Sequence, residues 1–323
     1  MRAAAQPGHH DAQAARRRDR PFPAHQDPRS APAVSTTLPQ RGRGRYGWLE
    51  TIERLDPVAD AQAIHRITAG YEFPWDYQRS LEFALFRTYC VPSISALLAR
   101  TGEFEKRPQK RYDDTSLLMS ELVGHGYDSE RGRASLRTVN RLHARYDIDR
   151  DDMLYVLSTF AFDPLDWIDR YGWRRLHPHE RRAAVEFYRA VGSRMGIADV
   201  PESVAEFHAF RMEYEHDRFG FAPDNRRIGT YTRELLASWY PAVSRPAIRG
   251  VVHAMIDDDM RRAFGFPAAA PGARRVAEAG LRARARAVRH LPPRRTSRIA
   301  RDPRNRTYPG YPVGYHPSDL GPL

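Results

Sequence analysis

The chain has 323 residues, a formal net charge of +12 and a hydrophobic content of 41%, which is below the usual globular range and predicts that part of the chain lies outside a packed core. A single cysteine, Cys90, excludes an internal disulfide and is typical of a protein from a reducing compartment. No apolar run is long enough for a membrane span, and the N-terminus lacks the apolar segment of a secretory signal, so we expect a cytoplasmic protein.

The positive charge is concentrated at the two ends of the chain. Residues 1–45 contain nine Arg and three Asp, and residues 268–323 contain twelve Arg and three acidic residues, so residues 46–267 carry a net charge of −3. Basic ends can bind phosphates or anionic lipid, although most are simply solvated. No basic patch on a folded face is evident, so nucleic-acid binding is not predicted. Peripheral membrane contact stays open.

Residues 1–45 have almost no large apolar side chains and are predicted to be a disordered basic tail. The end of this tail formally matches a GxGxxG motif through Gly42, Gly44 and Gly47. That motif binds a dinucleotide only when a strand precedes it. A disordered segment precedes it here, so the match predicts no nucleotide site.

Helical start and stop signals continue from about residue 48 to 290. They predict helices after Asp56-Pro57, over Ser93–Arg100, over Ser129–Tyr146, after Asp149, from Pro178 to near Gly196, over Ser244–Phe264 and over residues 273–290. Alternating strand patterns are nearly absent. We therefore predict an all-α, bundle-like single domain of eight to ten helices over residues 46–290. Residues 291–323, rich in Pro and Tyr, are interpreted as an extended arm that can pack on this domain.

One histidine lies on an apolar helix face. Leu136, Val139, His143 and Tyr146 are spaced so that they share one side of the predicted helix Ser129–Tyr146. Spacing alone most often means a buried neutral histidine with both nitrogens hydrogen-bonded. The alternative is an axial metal ligand held by a rigid helix.

Other chemistry-bearing patterns are incomplete. A di-iron bundle needs two Glu-x-x-His pairs, and Glu213 with His216 supplies one, whereas Gln62 with His65 has the wrong first residue. A zinc site from the histidines near residue 178 lacks a firm ligand spacing. A thiolate-ligated haem would need Cys90, which no glycine-rich loop surrounds, and no Gly-x-Ser-x-Gly elbow of a serine hydrolase is present. The histidines of the zinc alternative are His177, His179 and His208.

A series of segments resembles the MpaB oxygenase family, whose superfamily includes the latex-clearing rubber oxygenases. The segments are Arg111-Tyr112-Asp113-Asp114-Thr115, Gly126-Tyr127-Asp128-Ser129-Glu130-Arg131-Gly132, Asn140-Arg141-Leu142-His143-Ala144-Arg145-Tyr146, Leu154-Tyr155-Val156-Leu157-Ser158-Thr159-Phe160, Trp167-Ile168-Asp169-Arg170-Tyr171-Gly172-Trp173 and Arg194-Met195-Gly196-Ile197. The likeness extends from about Tyr46 to Tyr308-Pro309-Gly310-Tyr311.

The resemblance implies an all-helical fold around haem b, with one histidine as the iron ligand. By its place in the Asn-x-x-His-x-x-Tyr segment that ligand is His143. Arg111 and Thr115 resemble an Arg-x-x-x-Thr pair near the haem, Arg111 as a partner of a propionate or of bound oxygen and Thr115 as a donor to the distal oxygen. The resemblance also implies cleavage of a C=C bond in a prenylated or terpenoid substrate by dioxygen. An iron with one protein ligand keeps its other face open for dioxygen.

The sequence also departs from the rubber-cleaving pattern. Asp114 stands where those enzymes have a lysine, and Val91–Arg100 contains no carboxylate for their pocket glutamate. We expect the substrate wall to use apolar residues of one segment, Leu154, Phe160 and Trp167.

Two alternatives belong to other functional classes. The first is a haem-binding protein, monooxygenase or peroxidase of the same fold that does not cleave C=C bonds. The second is a helical interaction module in which His143 is a core residue and the basic ends bind nucleic acid or membrane.

Overall fold

Helices are the regular elements of the part of the chain that the structure describes. The structure is a computed structural model, and it describes residues 38–299, 311 and 314–322. These residues form fourteen α-helices, two short 3-10 helices and one π-helical turn, and they contain no strand. The predicted all-α fold class is confirmed, whereas the predicted number of helices was too low.

The first seven helices lead to the helix that carries His143. They are α1 (Gly47–Arg54), α2 (Ala61–Ile67), α3 (Pro74–Thr88), α4 (Pro92–Thr101), α5 (Glu103–Lys106), α6 (Pro108–His125) and α7 (Glu130–His143). A π-helical turn, Thr68–Glu72, joins α2 to α3. Proline begins α3, α4 and α6, because the first helical residue needs no N–H donor and its φ angle matches that of proline.

The other seven helices form the rest of the body. They are α8 (Arg150–Tyr171), α9 (Pro178–Arg194), α10 (Val204–Arg218), α11 (Pro223–Ser238), α12 (Arg245–Met255), α13 (Asp258–Phe264) and α14 (Ala273–Arg289). The short 3-10 helices are Ala242–Ser244 and Pro317–Asp319. Asp149 caps α8 as predicted, since its carboxylate accepts the backbone N–H of Asp151 at 2.8 Å.

Three predicted helices differ from the observed ones. The helix expected directly after Asp56-Pro57 begins only at Ala61, and the Asp56 carboxylate instead accepts the N–H groups of Val58 and Ala59 in the preceding turn. The helix expected over Ser244–Phe264 is broken into α12 and α13, because Ile256 is extended and Asp257 caps the second helix with a 2.8 Å bond from the Met260 N–H. The helix expected over Ser129–Tyr146 begins at its Ser129 cap but ends at His143. Tyr146 therefore leaves the apolar face and is 39% exposed.

The largest apolar cluster surrounds α8, which packs along α3 and also contacts α9, α10 and α14. A second cluster joins α3 to α11, α12 and α13. No described helix is by itself long and apolar enough to cross a membrane, and α3 and α4 pass that test only as a pair bent by 98°.

A buried ionic network connects α3, α8 and α10. The Arg87 guanidinium lies 3.3 Å from Asp163 and 2.8 Å from Glu215, and the Arg211 guanidinium lies 3.3 Å from Asp163 and 3.1 Å from Glu215. Burying any of these charges without its partners would be costly. The network therefore fixes how the three helices pack against one another.

Residues 38–45, the last part of the predicted tail, pack on the body. Leu38 lies against the cluster that contains Trp48 and Ile52, and the Gly42 N–H donates to the Gly47 carbonyl at 2.9 Å. The Arg45 guanidinium lies 3.4 Å from the centre of the Trp173 ring. These residues belong to the packed body, and the rest of the tail prediction, residues 1–37, lies outside the described residues.

The described part of the C-terminal arm packs on α6 and α7. Leu320 is buried against Leu117 and Leu118, the Thr138 hydroxyl donates to the Pro317 carbonyl at 3.0 Å, and Tyr315 donates to Glu121 at 2.6 Å. Residues 300–310, 312–313 and 323 lie outside the described residues.

Candidate functional site

The α6–α7 hairpin brings the predicted site residues to one end of the fold. Its four-residue turn reverses the chain, so the start of α6 lies beside the end of α7. Gly126 in this turn has a φ of +89°, which favours glycine, and a Cβ on Gly132 would lie 1.9 Å from the Gly126 carbonyl oxygen. The two glycines therefore permit the close turn that places Arg111 near His143.

His143 is the last residue of α7 and has an unpartnered ring nitrogen. Its Nδ1 is buried and makes no hydrogen bond within the described residues. Burial, together with the nearby positive charge of Arg111, lowers the pKa of His143 to about 4, so the imidazole is neutral at pH 7. A neutral imidazole nitrogen that lacks a partner is the form that binds a metal ion. The sequence-based alternative of a core histidine with both nitrogens satisfied does not match this environment.

Arg111 and Thr115 lie one helical turn apart on α6 and contact each other. The Arg111 guanidinium donates to the Thr115 hydroxyl and lies 5.4 Å from the centre of the Phe104 ring. Within the described residues Arg111 forms no ion pair. An arginine that faces a cavity without a carboxylate partner can bind an anionic group of a ligand.

Two cavities meet beside α3 and α6. The first, of about 20 Å³, is lined by Glu82, Leu85, Tyr89, Phe104, Pro108, Arg111, Tyr112, Thr115, Thr232, Leu235 and Leu236. The second, of about 60 Å³, is lined by Ala69, Pro74, Tyr77, Gln78, Leu81, Glu82, Leu85, Tyr112, Ser116, Met119, Ser120, Val123, Arg298 and Ile299. Glu82, Leu85 and Tyr112 line both, so these three side chains form the partition between the two cavities.

The sequence analysis missed Glu82, the carboxylate in this partition. Its side chain is buried, accepts a 2.8 Å hydrogen bond from the Tyr112 hydroxyl and lies 2.5 Å from the Arg79 guanidinium. Burial raises the pKa of Glu82 to about 7, although Arg79 and Tyr112 oppose that shift. A carboxyl group that titrates near neutrality is suited to proton transfer. The signal in the sequence was a lone glutamate within the apolar run Leu81 to Phe86.

A buried chain of hydroxyl and imidazole groups reaches the second cavity. The Tyr77 hydroxyl lies 2.7 Å from the Tyr188 hydroxyl and 3.0 Å from His65 Nε2. Burial lowers the pKa of His65 to about 3, so this imidazole stays neutral. His65 thus has a hydrogen-bonding role beside the cavity, and its predicted neighbour in a half di-iron motif, Gln62, packs against Gly126.

The other metal alternatives do not converge. His177 caps α9 through the N–H of His179, and His179 Nδ1 lies 3.1 Å from the Ile52 carbonyl oxygen. Glu213 and His216 are exposed on α10. No group of three His, Cys, Asp or Glu side chains within the described ranges is arranged to hold a metal ion. Two further candidate ligands were His208 and Cys90. The His208 ring makes a T-shaped contact with the Phe162 ring, and burial raises the pKa of the Cys90 thiol, which disfavours the thiolate form that binds a metal.

The expected substrate wall is part of the core instead. Leu154 and Phe160 lie in the largest apolar cluster, and Trp167 packs against it and stacks on Phe83. None of the three lines either of the two cavities, whose walls come mainly from α3 and α6. Asp114 likewise faces away from the cavities: it pairs with Lys110 at 3.1 Å and accepts a hydrogen bond from Tyr311 of the C-terminal arm.

Known proteins resemble this chain over most of its described length. Residues 83–290 match the family described as "ER-bound oxygenase mpaB/B'/Rubber oxygenase, catalytic domain". The protein called "ER-bound oxygenase mpaB'" from Penicillium brevicompactum is 30% identical over 273 residues, which are 78% of this chain and 64% of that protein.

Two further relatives carry the name "ER-bound oxygenase mpaB". The one from Penicillium roqueforti is 32% identical over 237 residues, 67% of this chain and 80% of that protein. The one from Penicillium brevicompactum is 36% identical over 211 residues, 59% of this chain and 54% of that protein. The chain thus spans less than two thirds of the length of both Penicillium brevicompactum relatives. By these matches, the chain belongs to the family of MpaB-type oxygenases and rubber oxygenase catalytic domains.

Proposed function

We propose that the protein is a haem b-dependent oxygenase that cleaves a C=C bond of a prenylated or terpenoid substrate with dioxygen. The observation that carries this proposal is the environment of His143, whose ring is neutral and whose buried Nδ1 has no hydrogen-bond partner in the described residues. Arg111 lies nearby, and the chain belongs to a family of oxygenases. The names of the relatives support oxygenase activity. The resemblance supplies the haem and the type of bond.

The residues of the site fit an iron porphyrin in their chemistry. His143 would hold the iron through its ring nitrogen, and Arg111 would pair with a propionate or with anionic oxygen. The cavities of about 20 and 60 Å³ are far smaller than ordinary cofactor sites. His143 lines neither cavity, and Arg111 and Thr115 line only the smaller one, so neither cavity as it stands is the haem site.

When bound, a haem with one protein ligand supplies the open coordination position at which dioxygen is activated. The protein's own contribution is to position the alkene, exclude water and hold protons. Leu81, Leu85 and Met119 offer apolar surface to the substrate. Thr115 can donate a hydrogen bond, and Glu82, with a pKa of about 7, can hold or release a proton at its carboxyl group.

The first test is the absorption spectrum of the purified protein with a histidine variant and its control. We expect a strong Soret band and b-type haem by pyridine haemochrome analysis. His143→Ala should lose most of the haem or shift its band while retaining its fold, because only the iron bond is removed. His216→Ala, which changes an exposed histidine on α10, should keep a normal spectrum. A colourless protein that cannot be reconstituted, or a normal spectrum in His143→Ala, would contradict the proposal.

A second arm of the same test distinguishes cleavage from other oxidations. A prenylated substrate incubated with labelled dioxygen should give two carbonyl products, each with one labelled oxygen, trapped by rapid reduction before exchange with water. A single hydroxylated or epoxidised product would show a monooxygenase. Binding of haem without oxygen consumption would show a haem protein that does not cleave C=C bonds.

A further inference from the structure

We propose that the second cavity and the arginines at its rim form a binding site for an apolar chain that ends in an anionic group, such as a phosphate or a carboxylate. The rim arginines lie in the segment that follows α14: Arg298 lines the cavity, and Arg294 does not line it but contacts the adjacent π-helical turn. This inference rests on the proposed function, which supplies the apolar nature of the ligand, and it deepens that function. It adds a feature of the ligand that the family likeness does not supply, namely a negative charge at one end.

Five arginines contact the short stretch of chain between residues 70 and 76, and Arg174, Arg45 and Arg284 do so through its carboxylates. Arg45 lies 3.4 Å from the Glu72 carboxylate, and Arg284 lies 3.0 Å from the Asp76 carboxylate. These three guanidinium groups therefore have acidic partners. Arg294 contacts the same stretch through its guanidinium and Arg298 through its backbone N–H.

The two rim arginines lack acidic partners. The Arg294 guanidinium donates to the Tyr71 carbonyl at 3.1 Å, and the Arg298 backbone N–H donates to the Gly70 carbonyl at 2.9 Å. Within the described residues neither side chain forms an ion pair, and the Arg298 guanidinium makes no hydrogen bond. Carbonyl groups satisfy donors but do not neutralise charge, so two positive charges remain available at this place.

The local electrostatics favour an anion at the rim. Burial, together with the positive charges of Arg45, Arg298 and Arg284, lowers the pKa of Arg294. The negative charge of Glu72 raises the pKa of Arg294, but the Glu72 carboxylate also pairs with the Arg174 guanidinium at 2.9 Å. A phosphate or carboxylate would relieve this mutual repulsion and accept hydrogen bonds from the rim arginines in a fork geometry.

The rim is held firmly against the body. The Trp48 indole N–H donates to the Arg294 carbonyl at 3.0 Å. A Cβ on Gly70 would lie 2.5 Å from the Ser297 hydroxyl and 3.1 Å from Ile299, so the segment passes directly over the glycine. Gly70 belongs to the π-helical turn, a feature often found at functional sites.

The cavity behind the rim suits an apolar chain end. Leu81, Leu85, Met119, Val123 and Ile299 contribute to its walls. A volume of about 60 Å³ holds several water-sized groups, which is room for the end of a branched chain rather than for a whole molecule. Since Arg298 and Ile299 line the same cavity, one ligand can contact a charge and an apolar wall at once.

Isothermal titration calorimetry of the full chain tests the site, because it measures binding and needs no turnover. The probes are geranyl diphosphate, geraniol, decanoate and inorganic diphosphate. At least one anionic ten-carbon probe should bind tenfold or more tightly than both geraniol and inorganic diphosphate. Comparing geranyl diphosphate with decanoate then distinguishes a phosphate group from a carboxylate.

The variants are Arg294→Gln and Arg298→Gln, with Arg286→Gln as the matched control. Each rim variant should weaken the anionic probe about tenfold and leave geraniol unchanged, because one charge-assisted contact is lost. Arg298 is exposed, so its variant will fold even if Arg294→Gln does not. Arg286 is an exposed arginine on α14 without an ion pair in the described residues, and its variant should bind like the wild type.

Three results would overturn the site. The first is that geraniol binds as tightly as the anionic probes, and the second is that inorganic diphosphate binds as tightly as geranyl diphosphate. The third is that Arg286→Gln loses as much affinity for the anionic probe as the rim variants do. Binding as expected without oxygenase turnover would instead reject the proposed reaction and leave the site standing.

Discussion

Burial controls the charge of the two residues nearest the proposed chemistry. It lowers the pKa of His143 to about 4 and raises the pKa of Glu82 to about 7, so between these two values both side chains are mostly neutral. Arg111, Arg298 and the Arg79 partner of Glu82 are then the charges close to the cavities. A nearly neutral interior reduces the cost of placing an apolar molecule there, since fewer charges lose their hydration.

The raised pKa of Glu82 predicts a specific dependence of stability on pH. The usual pKa of a glutamate is 4.5, so as the pH rises Glu82 loses its proton in the unfolded chain before it does so in the folded protein. The free energy of unfolding therefore falls as the pH rises from 4.5 to about 7. Glu82→Gln removes this loss and can still accept the hydrogen bond of Tyr112. Relative to the wild type, the variant should gain up to about 3 kcal/mol in free energy of unfolding between pH 4.5 and 8. Denaturant unfolding at several pH values measures the difference.

An exposed carboxylate on α1 provides the control for this titration. Glu53→Gln changes a solvated side chain, so its difference from the wild type should stay nearly constant over the same range. A Glu82→Gln variant whose stability runs parallel to the wild type would show that Glu82 is not buried as described.

Single residues were the hardest feature to predict. Spacing placed His143 on a helix face with Leu136, and the family motif singled out Arg111 and Thr115, but neither could show that Nδ1 of His143 lacks a partner. Glu82 and Tyr77 become site residues only because α3 packs against α6 and α8. Such contacts depend on tertiary structure, which local patterns do not contain.

At the scale of elements, the C-terminal segment around residues 314–322 secures the α6–α7 hairpin. Leu320 is 2% exposed and packs on Leu117 and Leu118, which lie about two helical turns beyond Arg111 and within one turn of Thr115. The Lys110 ammonium also donates to the Gly321 carbonyl and to the Tyr311 hydroxyl. The segment thus braces the helix that presents Arg111.

Removing the apolar contact of this segment should weaken the hairpin. Leu320→Ala should lower the free energy of unfolding by about 2–4 kcal/mol, because it deletes buried methyl groups and leaves a cavity. Thermal or denaturant unfolding measures the loss. Leu291→Ala is the matched control, since Leu291 is 54% exposed and its change should cost little. Equal effects of the two variants would show that the segment does not pack as described.

The sequence predicted helix boundaries correctly where the capping side chain interacts with its own helix and with no distant part of the chain. Ser129 and Asp149 begin α7 and α8 as their side chains predicted. The break between α12 and α13 was missed because it depends on Asp257, whose carboxylate both caps α13 and lies 2.5 Å from Arg87 of α3. A distant partner of this kind leaves no mark in the neighbouring sequence.

At the scale of the whole molecule, two distant basic segments meet at the π-helical turn. Arg45, from the N-terminal side, pairs with Glu72 of this turn, and Arg294, from beyond α14, donates to the carbonyl of Tyr71. The composition located the basic charge at the ends of the chain, but it could not show that part of each end packs beside one turn. Charge in the sequence indicated solvated tails, whereas the described parts of both ends contribute to the body.

This arrangement predicts that two N-terminal deletions differ in stability. The sequence predicts that residues 1–37 contribute no packing, so deleting them should leave the melting temperature nearly unchanged. Deleting residues 1–45 also removes Arg45, whose guanidinium lies over Trp173 and pairs with Glu72, and the Gln40 carbonyl that accepts the Thr51 hydroxyl at 3.2 Å. Losing a cation–π contact, a buried ion pair and a hydrogen bond should cost about 1–3 kcal/mol. Differential scanning calorimetry of both truncated chains and the full chain makes the comparison, with helix content by circular dichroism confirming that each remains folded. If the two deletions melt at the same temperature, residues 38–45 do not stabilise the body, and the packing of Arg45 on Trp173 is wrong.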